Sequence, residues 1–222
     1  MQCIVTAGPT YEPLDEVRRL TNISTGRIGS ELVNFLAARG HEATLLIAQS
    51  ATYRGERHAR QVETFTTTAN LRDRLQALAN PAVAAVFHAA AVSDFGFGKI
   101  WRRSAQGELS ELRGGKLSTR EGTLLAELTP TPKIIAELRR WFPTARLVGW
   151  KYEVEGGRAG VIRLAERQIT NCRTDACVAN GPAYGAGFGL VKGGGEFIHL
   201  PDTAALFAAL EEFMRAEQDN RK

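Results

Sequence analysis

The sequence has almost no means of cross-linking itself. Its 222 residues include three cysteines, Cys3, Cys172 and Cys177, an odd number without C-x-x-C spacing, which argues for reduced thiols and against a disulfide scaffold. Histidine is as sparse, and His41, His58, His88 and His199 are too scattered for zinc-ligand spacing. No apolar run approaches the roughly 20 residues needed to span a bilayer. The chain enters an apolar run at Cys3 with no basic segment and signal core ahead of it. These absences give the expectation of a cytoplasmic protein with no membrane partner. A strong charge of one sign is lacking too, the formal net charge being +4. The pairs Arg102-Arg103 and Arg139-Arg140 read as solvated faces, and no recognition motif accompanies them, so no nucleic-acid partner is expected.

What is present is an ordinary globular composition, 44% hydrophobic and 23% charged. It suits a single α/β nucleotide-binding domain over 1–222. The stretch from Cys3 to Gly40 carries the strongest signal. Cys3 to Ala7 is a short β-branched run that predicts a buried strand. Ile28, Leu32, Phe35 and Leu36 fall at helical spacing, with Gly40 placed to end that helix. Between them lie Gly8-Pro9-Thr10, a polar detour, and a second glycine cluster at Gly26 and Gly29. A strand, a glycine turn and a glycine-rich helix start make an anion site, because free N–H groups and the helix dipole both favour negative charge. The same glycines also suit a helix packed closely on a sheet. The dinucleotide fingerprint G-x-G-x-x-G is split here by an insertion holding Arg18, Arg19 and Asn22.

Downstream, the pattern continues as an open α/β sheet. Strands are predicted at His41–Ala48, Val62–Thr66, Ala82–Ala91, Ala145–Trp150 and Thr174–Ala179, and helices at Asn70–Asn80, from Pro132, and at Gly160–Ile169. A hairpin is expected from Gly187–Val191 and Glu196–Leu200, then a closing helix at 202–217 and a frayed tail from Gln218 to Lys222. Small residues at Ala89, Ala90 and Ala91 let a planar ligand approach the backbone at a strand end, with Asp94 nearby or capping the next turn. From Gly96 to Gly122 the pattern is lost. A stretch that long suits a mobile lid hinged at Gly96, Gly98, Gly114 and Gly115, or a solvated hairpin. It is no Walker P-loop, since G-K-[ST] with its upstream glycine is missing. No tyrosine has a lysine four residues on, which removes the usual proton relay of short-chain dehydrogenases. An NAD(P)-dependent oxidoreductase and a non-catalytic nucleotide- or flavin-binding module remain as alternatives.

Three linked motifs carry a family resemblance. Thr6-Ala7-Gly8-Pro9-Thr10, then Glu12-Pro13-Leu14-Asp15-Glu16-Val17-Arg18, then Asn22-Ile23-Ser24-Thr25-Gly26-Arg27-Ile28-Gly29 resemble, in order, the opening of phosphopantothenate–cysteine ligases. His88 to Asp94, Gly115-Lys116-Leu117, Thr129 to Pro132 and Gly149 to Glu153 resemble later segments of that family. The resemblance implies a Rossmann-like three-layer fold with a mostly parallel sheet, a mobile lid at about 96–122 and a C-terminal β-hairpin. It implies a monofunctional ligase of coenzyme A biosynthesis, without bound flavin, that joins 4′-phosphopantothenate to cysteine through an acyl nucleotidylate. ATP or CTP is the implied co-substrate, Mg²⁺ the implied ion and a homodimer the implied assembly. The implied catalytic residues are Asn22 for the oxyanion and Lys116 from the lid, with Arg18 and Asn22 on substrate. Gly8, Ser24, Gly26, Gly29, Ala89, Ala90, Asp94, Pro132, Lys133, Ile134, Trp150 and Lys151 are the implied nucleotide-binding positions; no residue is assigned as a metal ligand. Gln168 and Cys172 stand where cytidine-nucleotide users place lysines, and Lys151 follows the eukaryotic-type pattern, so the expectation leans to ATP.

Overall fold

The computed structural model describes residues 1–112, 114–118, 120 and 122–216; the expected frayed tail from Gln218 to Lys222 lies outside them. Six strands run parallel: β1 (Gln2–Ala7), β4 (Glu42–Ala48), β5 (Gln61–Phe65), β6 (Val83–His88), β10 (Arg146–Tyr152) and β11 (Ala176–Asn180). Their order across the sheet is β11-β10-β6-β1-β4-β5, and β12 (Phe188–Lys192) and β13 (Phe197–Leu200) extend it antiparallel beyond β11. Chain order therefore reverses between β1 and β6, which is where a doubly wound sheet opens a crevice at its carboxyl edge.

Helices cover both faces. α1 (Arg27–Ala38) packs on β1 and β4 and touches α5 (Thr203–Arg215), while α2 (Thr68–Ala77), α3 (Ile134–Trp141) and α4 (Gly157–Cys172) form the opposite layer. Strands sandwiched this way are buried on both sides, and Val5, Leu45, Val86, Leu147 and Val178 are fully buried. Each such side chain contributes roughly 1.5–3 kcal/mol of burial. The predicted core strands and helices are all present. α4 starts at Gly157, three residues earlier than its apolar spacing suggests, because Gly156 at φ 95° and Gly157 at φ 68° turn the chain into the helix.

The stretch read as patternless is the main difference. β7 (Phe95–Arg103), β8 (Leu109–Leu112) and β9 (Thr123–Pro130) form a separate three-stranded antiparallel sheet, extending past the expected end at 122. Arg113, Thr119 and Glu121, within the expected lid, lie outside the described residues. Nearly every residue of β8 and β9 is exposed, so no inside–outside alternation marks them. Gly98 sits at a register shift in β7, where the Glu127 carboxylate fills the space a Cβ would take and accepts the Lys99 N–H at 3.0 Å. A second unpredicted element is the hairpin of β2 (Tyr11–Pro13) and β3 (Arg19–Thr21), formed by the polar detour. Arg139 also departs from expectation, since it is no solvated side chain. It donates to the carbonyls of Arg173, Phe142, Pro143 and Ala145 and pairs with Asp175 at 2.6 Å, tying the end of α3 to the start of β11.

Candidate active site

The switch point between β1 and β6 is built from small residues and backbone. Gly8 has φ 83°, and a side chain there would meet Ala48 Cβ at 2.8 Å. Gly29 lies tighter still, its absent Cβ 2.6 Å from Ala7 Cβ and 3.0 Å from the Thr6 carbonyl oxygen. The first turn of α1 thus rests directly on the end of β1. Gly26, at φ 78°, precedes the helix without a side chain to cap it, and Thr25 Oγ1 reaches only the Arg27 N–H. No acidic residue stands in that first turn. Uncapped N–H groups at the positive end of a helix, beside a glycine turn, suit an anion.

Opposite α1, the chain leaving β6 runs as Ala89, Ala90, Ala91, Val92, Ser93 and Asp94. It is tied to the β1 turn by Ala91 N–H to Gly8 O (3.0 Å) and Thr10 N–H to Ala91 O (3.2 Å). Buried hydroxyls fix its course. Thr6 Oγ1 accepts the Ala90 N–H and pairs with His88 Nδ1 at 3.0 Å, and Thr10 Oγ1 accepts the Ser93 N–H at 2.8 Å. Thr131 donates to the Ser93 carbonyl, and the Thr131 N–H bonds Asp94 O at 3.0 Å. Burial lowers the His88 pKa to about 4, so the ring is neutral near pH 7. His88 is a scaffold residue here. The Asp94 side chain is exposed at the mouth.

The β2–β3 hairpin stands over this mouth. Asn22, just after it, donates its amide to the carbonyls of Ala91 (3.2 Å) and Val92 (3.1 Å), while Ser24 is half-buried beside the start of α1. At the hairpin tip, Arg18 turns its Nε and one Nη onto Asp15, and the same Nη reaches the Leu117 carbonyl. Its Nε edge is therefore engaged. Lys116 lies in the segment held there, Gly115 O accepting the Glu16 N–H at 2.9 Å, and its side chain is exposed.

The remaining expected positions divide by burial. Pro132 and Lys133 are exposed at the start of α3, but the Ile134 side chain is core, which leaves only its backbone for a ligand. Lys151 pairs with Glu153 at 2.9 Å. Trp150 Nε1 and Asn180 Oδ1, at the ends of neighbouring strands β10 and β11, are buried with no hydrogen-bond partner among the described residues. A donor and an acceptor left open at a strand end suit a polar ligand edge. Gln168 does not point that way, since its amide donates to Cys177 Sγ at 3.2 Å and lies against Gly149.

The functional residues not singled out from sequence are side chains that organise backbone. Glu12 Oε1 accepts the Thr68 N–H at the start of α2, and Asp15 gathers the hairpin tip. Asp15 stood within the Glu12–Arg18 motif, and its spacing to Arg18 is the signal that marks it as a turn acid with a cation three residues on.

Comparison with known proteins agrees with this architecture. A coenzyme A biosynthesis bifunctional protein, CoaBC, of Thermococcus kodakarensis is 32% identical over 177 residues, covering 80% of this chain and 40% of that protein. The chain spans less than half the length of the curated relatives it matches across most of its length. Among solved structures, the DNA/pantothenate metabolism flavoprotein from Streptococcus pneumoniae superposes with a TM-score of 0.84 at 23% identity, covering 98% of this chain and 99% of that one. A Cab2 variant in complex with phosphopantothenate-cysteine superposes at 0.71 with 18% identity, over 99% of this chain and 86% of that one. The sequence profile of one family matches residues 1–199. By that match, the chain belongs to the DNA/pantothenate metabolism flavoprotein C-terminal domain family.

Proposed function

We propose that this chain is a phosphopantothenate–cysteine ligase of coenzyme A biosynthesis. The observation that carries the reading is the Asn22 amide on the Ala91 and Val92 carbonyls. It joins the hairpin bearing Arg18 to the small-residue wall opposite the α1 N-terminus, so a phosphate-bearing acid and a nucleotide would share one mouth. The relatives named CoaBC and the complex with phosphopantothenate-cysteine support the same substrates.

In the first step a carboxylate oxygen of 4′-phosphopantothenate attacks the α-phosphorus of the triphosphate, and pyrophosphate leaves with the bond electrons. An anion approaches a polyanion here, so the site must supply positive field. In this reading the Gly8 turn, the α1 N–H groups, Lys116 and Lys133 would do so. In the second step the cysteine amine attacks the acyl carbon, the nucleoside monophosphate leaves and the amine loses a proton. The oxygen that turns negative needs a donor, and we assign Asn22, whose amide must then leave the Ala91 and Val92 carbonyls. Arg18 presents its second Nη to the substrate phosphate, its other edge being held by Asp15.

Mg²⁺ when bound would neutralise triphosphate charge. Among the described residues no group of three or more His, Cys, Asp or Glu side chains could hold a metal ion. The ion therefore fits as one carried on the nucleotide, with Asp94 the exposed carboxylate at the mouth. ATP is the preferred nucleotide in this reading, because Gln168 is turned inward and Cys172 is buried. A homodimer fits the exposed apolar residues Val17 and Leu20 on the hairpin, Ile23 just after it, and Phe95, Leu125 and Leu128 on the β7–β9 sheet. Three free, buried cysteines fit a cytoplasmic setting. No described helix is long and apolar enough to cross a membrane.

The test is pyrophosphate release with ATP and with CTP, with and without cysteine, and with pantothenate in place of its phosphate ester. Release that needs the acid and the nucleotide supports the reading. No release with either nucleotide, or NAD(P) retained through purification, overturns it.

A further inference from the structure

The tip of the β2–β3 hairpin holds a carboxylate with two separate jobs. Asp15 Oδ1 accepts the N–H groups of Val17 (3.0 Å) and Arg18 (2.7 Å), which closes the local turn. Oδ2 faces the other way. It takes the Arg18 Nε at 3.0 Å and an Arg18 Nη, and it also accepts the N–H of Leu117, about a hundred residues downstream, at 3.1 Å. The Arg18 Nη completes a ring by donating to the Leu117 carbonyl. Leu117 is buried against this tip with 7% of its surface exposed. Around the ring, the Glu16 N–H bonds the Gly115 carbonyl at 2.9 Å. The Asp15 side chain is 1% exposed, whereas that of Arg18 is 43% exposed. Burial opposes the charge, but the Arg18 guanidinium and the Leu117, Val17 and Arg18 N–H groups outweigh it and hold the carboxyl well below the usual carboxylate range.

One buried carboxylate oxygen thus orients a half-exposed arginine and anchors the strap that carries Lys116. We propose that Asp15 is the positioning residue of the site: its Oδ2 aims the free edge of Arg18 at the substrate phosphate and holds the 115–117 strap beside it. The claim rests on the ligase reading and deepens it. A guanidinium free to rotate loses preorganisation toward a phosphate, and Asp15 fixes it through its Nε edge. Phosphate recognition and strap position are therefore coupled through one atom rather than built separately.

The two-sided geometry supplies a selective variant. Asp15→Asn keeps an oxygen for the Val17 and Arg18 N–H groups but puts an NH₂ where Oδ2 was, and an NH₂ cannot accept from Arg18 or Leu117. The experiment combines amide hydrogen exchange with steady-state kinetics on the full chain. In Asp15→Asn, exchange at Leu117 is expected to speed up about tenfold or more while that at Val17 holds. KM for 4′-phosphopantothenate is expected to rise about 10- to 100-fold, the scale of one charge-assisted hydrogen bond. kcat/KM for pantothenate, which lacks the phosphate, is expected to fall less than that for 4′-phosphopantothenate, because only the contribution of the strap is lost there. Asp15→Asn combined with Arg18→Ala should cost less than the two changes summed, because both act on the same phosphate contact.

Unchanged Leu117 exchange overturns the strap half of the proposal. Faster exchange with an unchanged KM for 4′-phosphopantothenate makes Asp15 purely structural and overturns the positioning role. A wild-type chain that releases no pyrophosphate removes the ligase reading and this proposal together. A wild-type chain that does, with an indifferent Asp15→Asn, removes this proposal alone.

Discussion

The mouth of the parallel sheet and the hairpin with its strap are made of opposite materials. The mouth is backbone against backbone: Gly29 on Ala7, Gly8 on Ala48, and hydroxyls of Thr6 and Thr10 holding the chain after β6. Nothing there can shift without moving a strand or a helix. The hairpin and strap are joined by side-chain charge, chiefly Asp15 with Arg18 and the Leu117 N–H, and flank a sheet exposed on most of its surface. A rigid anion cradle and a charge-held arm suit different duties. In the proposed ligase the first would keep a polyanion in one place, and the second would adjust as substrate charge arrives.

The largest expected effect breaks the joint between the two regions. Asn22→Asp puts a carboxylate against two carbonyl oxygens and removes the proposed oxyanion donor, and turnover is expected to fall about 10²–10³-fold. If Asn22 donates in the second step, quenched reactions of the variant accumulate acyl nucleotidylate, visible by mass spectrometry. If it only ties hairpin to wall, both half-reactions fail together. Lys116→Ala acts on the arm alone, with an expected loss of about 10² in acyl-nucleotidylate formation. An unchanged rate of pyrophosphate release would leave Lys116 an ordinary surface residue.

Two further changes sharpen the contrast through stability. His88 is buried neutral, with its pKa lowered from the ordinary 6.5 to about 4 by desolvation. The unfolded chain takes up that proton as pH falls through this window and the folded chain does not. Stability from His88 is thus complete above about pH 6.5 and lost progressively toward pH 4, by at most about 3 kcal/mol. Denaturant titrations should show that slope in the wild type and a smaller one in His88→Leu between pH 5 and 6.5. Equal slopes would mean the ring is already accessible to protons. Gly29→Ala drives a Cβ into Ala7 and the Thr6 carbonyl, whereas Gly115→Ala meets only the movable end of Glu16. Denaturation should give about 1–3 kcal/mol for the first and under about 1 kcal/mol for the second. Equal costs would erase the distinction between cradle and arm.

That distinction also explains what was legible in the sequence. Strands such as Cys3–Ala7 and Ala82–Ala91 announced themselves because burial on both faces leaves continuous apolar runs. The glycines at 8, 26 and 29 were legible too, since each marks a close approach, to Ala48, Ile47 and Ala7 in turn. Of the β7–β9 sheet only a solvated hairpin and an alternating strand before Thr129 were legible, because strands as exposed as β8 and β9 carry little burial pattern to read. Arg139 was misread because a paired arginine at a helix end looks solvated until the carbonyls of Ala145 and Arg173 come near it in space. Asp15 was visible as a letter in a motif. Its second partner, Leu117, lies so far along the chain that only the fold brings the two together.

The central claim is that the mouth between β1 and β6 activates a carboxylate on a nucleotide. Its most direct test is to mix the wild-type chain with 4′-phosphopantothenate and ATP or CTP without cysteine, quench, and weigh the products. The expected result is an acyl nucleotidylate formed in step with pyrophosphate, which disappears when cysteine is added as the amide and nucleoside monophosphate appear. Nucleotide that stays intact with both substrates present, or a nucleoside diphosphate released in place of pyrophosphate, would contradict the account.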